Sequence, residues 1–335
     1  MKKFPIHKLN SNINKILQTI ITANIPGCIS NGLSNVIYFI DEATCITCPA
    51  EIIEDKLTGK FIVKLSVAYC QYLWLLCDIA LKTIDSEIII QECNKHGINK
   101  ETYKSFVNNL LQLSKIEFFN ILKIKMENIN HEQYYDYLKR SLSIIDNEKL
   151  SKEIEIDYSL LLPLTDKSMS IDIEKYYQIN FNGNYEEKVN SMYCFGITFV
   201  LLHELSHFSL GHFNKSEEIT DETNADIAAF WDIYASLNEQ MLFSAYCGVI
   251  CALFSLLYIN PSMSEDGIHP QEYKRIFDVY ENIEDKNNKI ILLIIHLFKQ
   301  WSNLYNIQDF PNLDSENPKE DVYRIKKFFL NRNKN

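Results

Sequence analysis

His203-Glu204-Leu205-Ser206-His207-Phe208-Ser209-Leu210-Gly211-His212 decides how the rest of the chain is read. Its first five residues are H-E-x-x-H. On a helix, His203 and His207 lie four residues apart, project from one face and can grip a single metal ion. Glu204 sits one position round, within reach of a metal-bound water. Phe195, Phe199 and Leu202 give the same helix an apolar side, and Gly211 gives it a C-terminal stop. Polar and charged groups on an otherwise apolar helix need partners, and a metal ion is one.

Two histidines hold zinc poorly alone; catalytic zinc takes three protein ligands plus water. Downstream stands Glu222-Thr223-Asn224-Ala225-Asp226. On a second helix Glu222 and Asp226 share a face, so Glu222 can bind the metal while Asp226 accepts a hydrogen bond from the outer N–H of a ligand histidine. Ala225, Ala228 and Ala229 let that helix come close to the first. Glu218 and Asp221 are rival third ligands, but neither sets Asp226 in that register. The acidic run Glu217, Glu218, Asp221 reads, apart from Glu222, as a solvated entry to the helix, favoured by its N-terminal dipole. His212 follows His207 by five residues, which breaks the metzincin spacing, and reads as a helix C-terminal residue facing free carbonyls.

The chain has 335 residues, 47% of them hydrophobic, enough for one large domain or two smaller ones. Only 9 Gly and 8 Pro, against abundant Leu, Ile, Lys, Glu and Asn, point to a helix-rich fold. A net charge of −11 argues against a nucleic-acid partner, because phosphate binding needs a basic face. The nine cysteines are odd in number and irregularly spaced, which speaks against a disulfide framework. Cys45-Ile46-Thr47-Cys48 is a lone C-x-x-C with no second pair at zinc-finger spacing, and reads as structural or incidental. Ile16 to Ile21 is too short and too polar for a signal peptide. Together these features point to a reducing cytoplasm.

Coarse patterning organises the rest. Residues 10–23 have helical apolar spacing. Val36 to Ile40 and Phe61 to Leu65 read as strands, the second preceded by a turn at Thr58-Gly59-Lys60, giving a small sheet beside the motif helix. Val67 to Thr83 reads as a long buried helix. Residues 84–154 are charged and periodic, an amphipathic helical bundle suited to an insertion. Leu160 to Asn184 is a connector, and helix resumes at about Tyr185. Met241 to Tyr258 runs 18 positions without a charge, at the lower edge for a membrane span. Ser244, Tyr246, Gly248 and Ser255 dilute it and no Lys or Arg cluster flanks it, which favours a buried core helix. The expected fold is α+β and predominantly α-helical. It has an N-terminal α/β part (1–83), a helical insertion (84–160) and a catalytic part (161–335) that forms one compact domain with the first.

H-E-x-x-H followed by E-x-x-x-D resembles the thermolysin-like gluzincin arrangement of zinc metallopeptidases. The longer string from His203 to His212, with Glu222 to Asp226, resembles the Lit-type phage-exclusion peptidases. Gly267-Ile268-His269-Pro270 with Arg275 resembles the H-P-x-x-x-x-R segment that follows the active site in several zincin families. The resemblance implies a zincin-like core with Zn2+ as cofactor. It also implies intracellular proteolysis of a protein or peptide substrate, with a protein or peptide activator as a further partner and residues 1–180 as the place for recognition.

The expected chemistry is a zinc-dependent endopeptidase. His203, His207 and Glu222 hold the ion, Glu204 takes the proton of the zinc-bound water, and His269 or Tyr273 stabilises the oxyanion. Arg275 alternatively pairs with a core carboxylate. Two other readings stand beside this one: a non-catalytic, metal-stabilised binding or regulatory protein, and a membrane-embedded zinc peptidase. A purely structural site would have no need of Glu204.

Overall fold

The computed structural model describes residues 5–24, 37–41, 49–55, 57, 60–95, 105, 183–212, 219–260, 271–284, 288–313 and 317–332. Cys45, Cys48, Glu217, Glu218, His269, the 160–182 connector and, apart from residues 84–95 and 105, the 84–154 block lie outside these residues. The chain divides into two compact units, Met1–Ala80 with Ser159–Asn335, and Leu81–Tyr158. The architecture is predominantly helical with one small sheet.

The first helix, α1 (Ile6–Asn24), buries Ile6, Leu9, Ile13, Leu17, Ile20 and Ile21 along one stripe at three- and four-residue spacing. Three strands follow: β1 (Ile37–Asp41), β2 (Ala50–Asp55) and β3 (Lys60–Ser66). Their order is β1-β3-β2, with β1 parallel to β3 (Ile37 opposite Ile62) and β2 antiparallel to it (Ala50 opposite Leu65). Central β3 buries Val63 and Leu65 and leaves Lys64 between them half-buried, the period-two alternation of a strand. β3 passes directly into α2 (Val67–Lys95), where the Tyr69 amide donates to the Ser66 hydroxyl, a side-chain cap on the new helix.

The centre of the first unit is a crossing of two long helices, α3 (Gly183–Ser209) and α5 (Glu239–Ile259). α3 buries every residue from Met192 to Phe199, and α5 every residue from Ala245 to Ser255. Helices this apolar on all sides belong inside a core. Two glycines allow the close approach. A Cβ on Gly196 would stand 2.9 Å from the Gly248 carbonyl oxygen, and one on Gly248 would run into the Met192 carbonyl. α5 is capped by the Asn238 side chain, which accepts from the Met241 amide. Its length and mean hydropathy of 2.1 would suit a membrane crossing, yet 72% of that window is covered by the protein itself.

Four more helices complete the described chain. α4 (Ile219–Ala235) packs on α3, and α6 (Glu272–Asn282) packs on α5 and α4. α7 (Asn288–Leu304) and α8 (Pro318–Arg332) close the far side, where Phe254, Phe277, Phe298, Trp301 and Phe329 form an aromatic cluster. The small sheet meets α3 through β2. α3, which carries the H-E-x-x-H motif, is therefore braced by α1, α4, α5 and the sheet.

The glycine crossing makes a direct prediction. Gly248→Ala forces a methyl group into backbone that no rotamer change can relieve, and should cost about 2 kcal/mol or more. Urea unfolding reads the loss as a lower midpoint at unchanged slope; an unchanged midpoint would mean that α3 and α5 do not depend on this contact.

Candidate metal centre and active site

α3 delivers His203, Glu204 and His207 from its last two turns. Gly211 ends the helix in the left-handed region, at φ 75°, a conformation glycine adopts without a Cβ clash. The Leu210 amide still donates to the Ser206 carbonyl (2.8 Å) and the Gly211 amide to Phe208 (3.1 Å). α4 brings Asp221 and Glu222 in its first turn and Asp226 one turn later. Ala225 and Ala229, both fully buried, put no bulk on the face of α4 that carries Glu222 and Asp226.

Three donors converge. His203 Nε2 and His207 Nε2 are 3.1 Å apart. Glu222 Oε2 lies 3.4 Å from the first and Oε1 lies 3.2 Å from the second. Ligands bonded to a tetrahedral zinc at ~2.0–2.1 Å stand roughly 3.3 Å from one another. Two imidazole nitrogens and one carboxylate at this separation are spaced as a set of metal donors would be. Among the described residues, His203, His207 and Glu222 are the group that could hold a metal ion.

A layer of charge stands behind the ligands. Asp226, with no exposed surface, places Oδ1 2.9 Å from His203 Nδ1. Arg275 of α6 donates to the same carboxylate twice, Nε to Oδ2 at 2.6 Å and Nη2 to Oδ1 at 2.8 Å. Its Nη1 also lies 3.5 Å from Glu222 Oε2. These contacts set the protonation states of the metal-free site. Burial disfavours the Asp226 anion, but Arg275 and then His203 outweigh it and hold the carboxyl below its usual range. Burial likewise disfavours the His203 imidazolium, and Asp226 overcomes it, pushing the ring up to about 9. Glu204 shifts upward because burial outweighs the pull of His203 and His207, which moves it toward the range of a useful proton acceptor.

The other proposed residues fall as follows. Asp221 points its carboxylate at His212, 3.2 Å from Nε2, rather than joining the three converging donors. Arg275 takes the core-carboxylate role that was its alternative. Tyr273, buried on α6, stacks its ring on Phe329 of α8 at 4.2 Å and 8°, a packing contact. His269 is outside the described residues. One element was missed: the His207 Nδ1 to His212 Nδ1 contact at 3.0 Å. Its signal was Gly211, since a left-handed glycine at a helix end turns the next residue back toward the last turn.

Because Asp226 is held ionised below the ordinary carboxylate range, its contribution to stability is present above about pH 4 and is lost as the pH falls through its depressed folded value. Arg275→Met should cost about 3 kcal/mol near neutrality by stranding that buried charge, and should move the acid loss to higher pH. Urea unfolding of metal-free protein across roughly pH 3 to 8 tests both effects. Equal stability at every pH would remove Arg275 as the counter-ion.

No curated protein and no solved structure matches the chain. A family model, described as Peptidase U49, matches residues 63–295, which include the end of β3, α2, the whole H-E-x-x-H helix, α4 and Arg275. With well over half of its length matched, and with the residues of a hydrolytic site gathered inside the matched segment, the chain belongs to the Peptidase U49 family, the Lit-type peptidases.

Proposed function

We propose that this peptidase is a zinc-dependent endopeptidase of gluzincin type, with His203, His207 and Glu222 as ligands and Glu204 as general base. The observation that carries this reading is the convergence of two Nε2 atoms and one carboxylate at 3.1–3.4 Å, with Glu204 beside them on α3. His203, His207 and Glu222 would hold the zinc ion, which would supply Lewis acidity and lower the pKa of water toward ~7.

The chain's own residues do the rest. Glu204 accepts a proton from the attacking water and returns it to the leaving amine, a shuttle suited to a carboxyl whose burial has raised its pKa. Asp226 keeps the proton of His203 on Nδ1, so that Nε2 stays available. Arg275 keeps Asp226 ionised. The substrate of a peptidase is a protein or peptide. The Lit-type resemblance supports an intracellular, cytoplasmic role in phage exclusion or a related defence, with a protein or peptide activator.

Glu204→Gln should retain about one zinc per chain while peptide hydrolysis falls by about 10²–10⁴-fold. Glu222→Ala should lose zinc and activity together. Elemental analysis of purified protein and mass spectrometry of a digested peptide library make the two measurements. Full activity in Glu204→Gln, or a wild-type chain that takes up no zinc, would overturn the mechanism.

A further inference from the structure

Each ligand histidine has an outer nitrogen that must carry a proton if Nε2 is to face the metal. For His203 the nearest carboxylate is Asp226, whose Oδ1 lies 2.9 Å from Nδ1. For His207 the neighbour is another imidazole, and that changes the problem, because a neutral imidazole can either donate or accept at a given nitrogen. His207 Nδ1 and His212 Nδ1 stand 3.0 Å apart, with the rings edge-on at 71° and centroids 5.1 Å apart. Only one of the two can supply the hydrogen.

Asp221 resolves the choice. Its carboxylate oxygen lies 3.2 Å from His212 Nε2. A carboxylate accepts and does not donate, so His212 carries its hydrogen on Nε2. The Nδ1 of a neutral His212 is then a bare acceptor. His207 must therefore donate from Nδ1, which leaves its own Nε2 bare and directed at His203 and Glu222. We propose that His212 and Asp221 are positioning residues, a two-step relay of N–H donations that fixes the metal-binding tautomer of His207. The inference rests on the zinc reading of the preceding subsection and goes beyond it by giving a role to two residues outside the ligand set.

The local fold is built for this contact. The left-handed turn at Gly211 swings His212 back beneath the last turn of α3, where it is buried. Adjacent residues on a helix point about 100° apart, so the first turn of α4 sends Glu222 to the ligand cluster and Asp221 to His212. An ordinary residue at a helix C-terminus would present its ring to solvent and the end carbonyls. Here both ring nitrogens lie within hydrogen-bond distance of side chains.

The test is zinc affinity of the full chain, measured by competition with a chromophoric chelator, together with the visible spectrum of the cobalt-substituted protein. His212→Ala should weaken zinc binding by about 10–100-fold and alter the cobalt bands. His212→Asn, whose Oδ1 can accept in place of Nδ1, should recover affinity to within about threefold and restore the bands. Asp221→Asn should give a smaller loss in the same direction. If His212→Ala folds poorly, the Asn variants decide the matter, and metal-free thermal midpoints identify that case. The relay is overturned if wild-type protein binds zinc and both His212 variants match it within about twofold, or if His212→Asn is as weak as His212→Ala. A wild-type chain without zinc would instead overturn the metal reading itself, and the relay with it.

Discussion

The carboxylate of Asp226 is the constraint on which the site depends. It has no exposed surface, and a buried anion is tolerated only with partners of matching charge and geometry. Those partners come from two other helices: His203 from α3 and Arg275 from α6. Satisfying one anion thus fixes where α4 and α6 stand relative to the motif helix. Glu222 lies one turn before Asp226 on the same face of α4, so the position that satisfies Asp226 also brings Glu222 to the histidines. The register of α4 and the third donor are one geometric event.

The α3–α5 crossing gives that event a rigid base. Packed helices normally keep 8–10 Å between axes because side chains separate them. Gly196 and Gly248 remove that spacer at the same level, and each faces backbone of the opposite helix. α5 is thereby committed to the interior, which explains why a stretch apolar enough for a bilayer lies mostly inside this protein. Above the crossing, α3 has little freedom to rotate, so His203 and His207 keep their direction.

What could be read from the sequence follows from distance along the chain. H-E-x-x-H and E-x-x-x-D were legible because both are four-residue repeats on single helices, where spacing alone sets direction. Strands β1 and β3 and the long helix after them were legible from short stretches rich in apolar residues. β2 was not, because Ala50-Glu51-Ile52-Ile53-Glu54-Asp55 mixes acids into the strand, as suits an edge that must not pair further. α2 runs on to Lys95, past the boundary that the charge pattern suggested at Thr83, since charge marks exposure rather than the end of a helix. The stacking of Tyr273 on Phe329 joins residues far apart in sequence, and no local pattern announces it.

The role of Arg275 shows why charge must be counted over the whole site. A guanidinium 3.5 Å from Glu222 Oε2 competes, taken alone, with a divalent cation for that carboxylate. Its two shorter bonds go to Asp226, however, so most of its charge is matched one layer behind the donors. With His203 neutral, the form that presents Nε2 to a metal, Glu222 and Asp226 together outnumber the single arginine. The site therefore stays negative where His203 Nε2, His207 Nε2 and Glu222 meet, while the arginine orients both α4 carboxylates. Replacing it by lysine would keep the charge but lose the planar two-bond grip on Asp226. What the site requires of Arg275 is the geometry of its donors more than the sign of its charge.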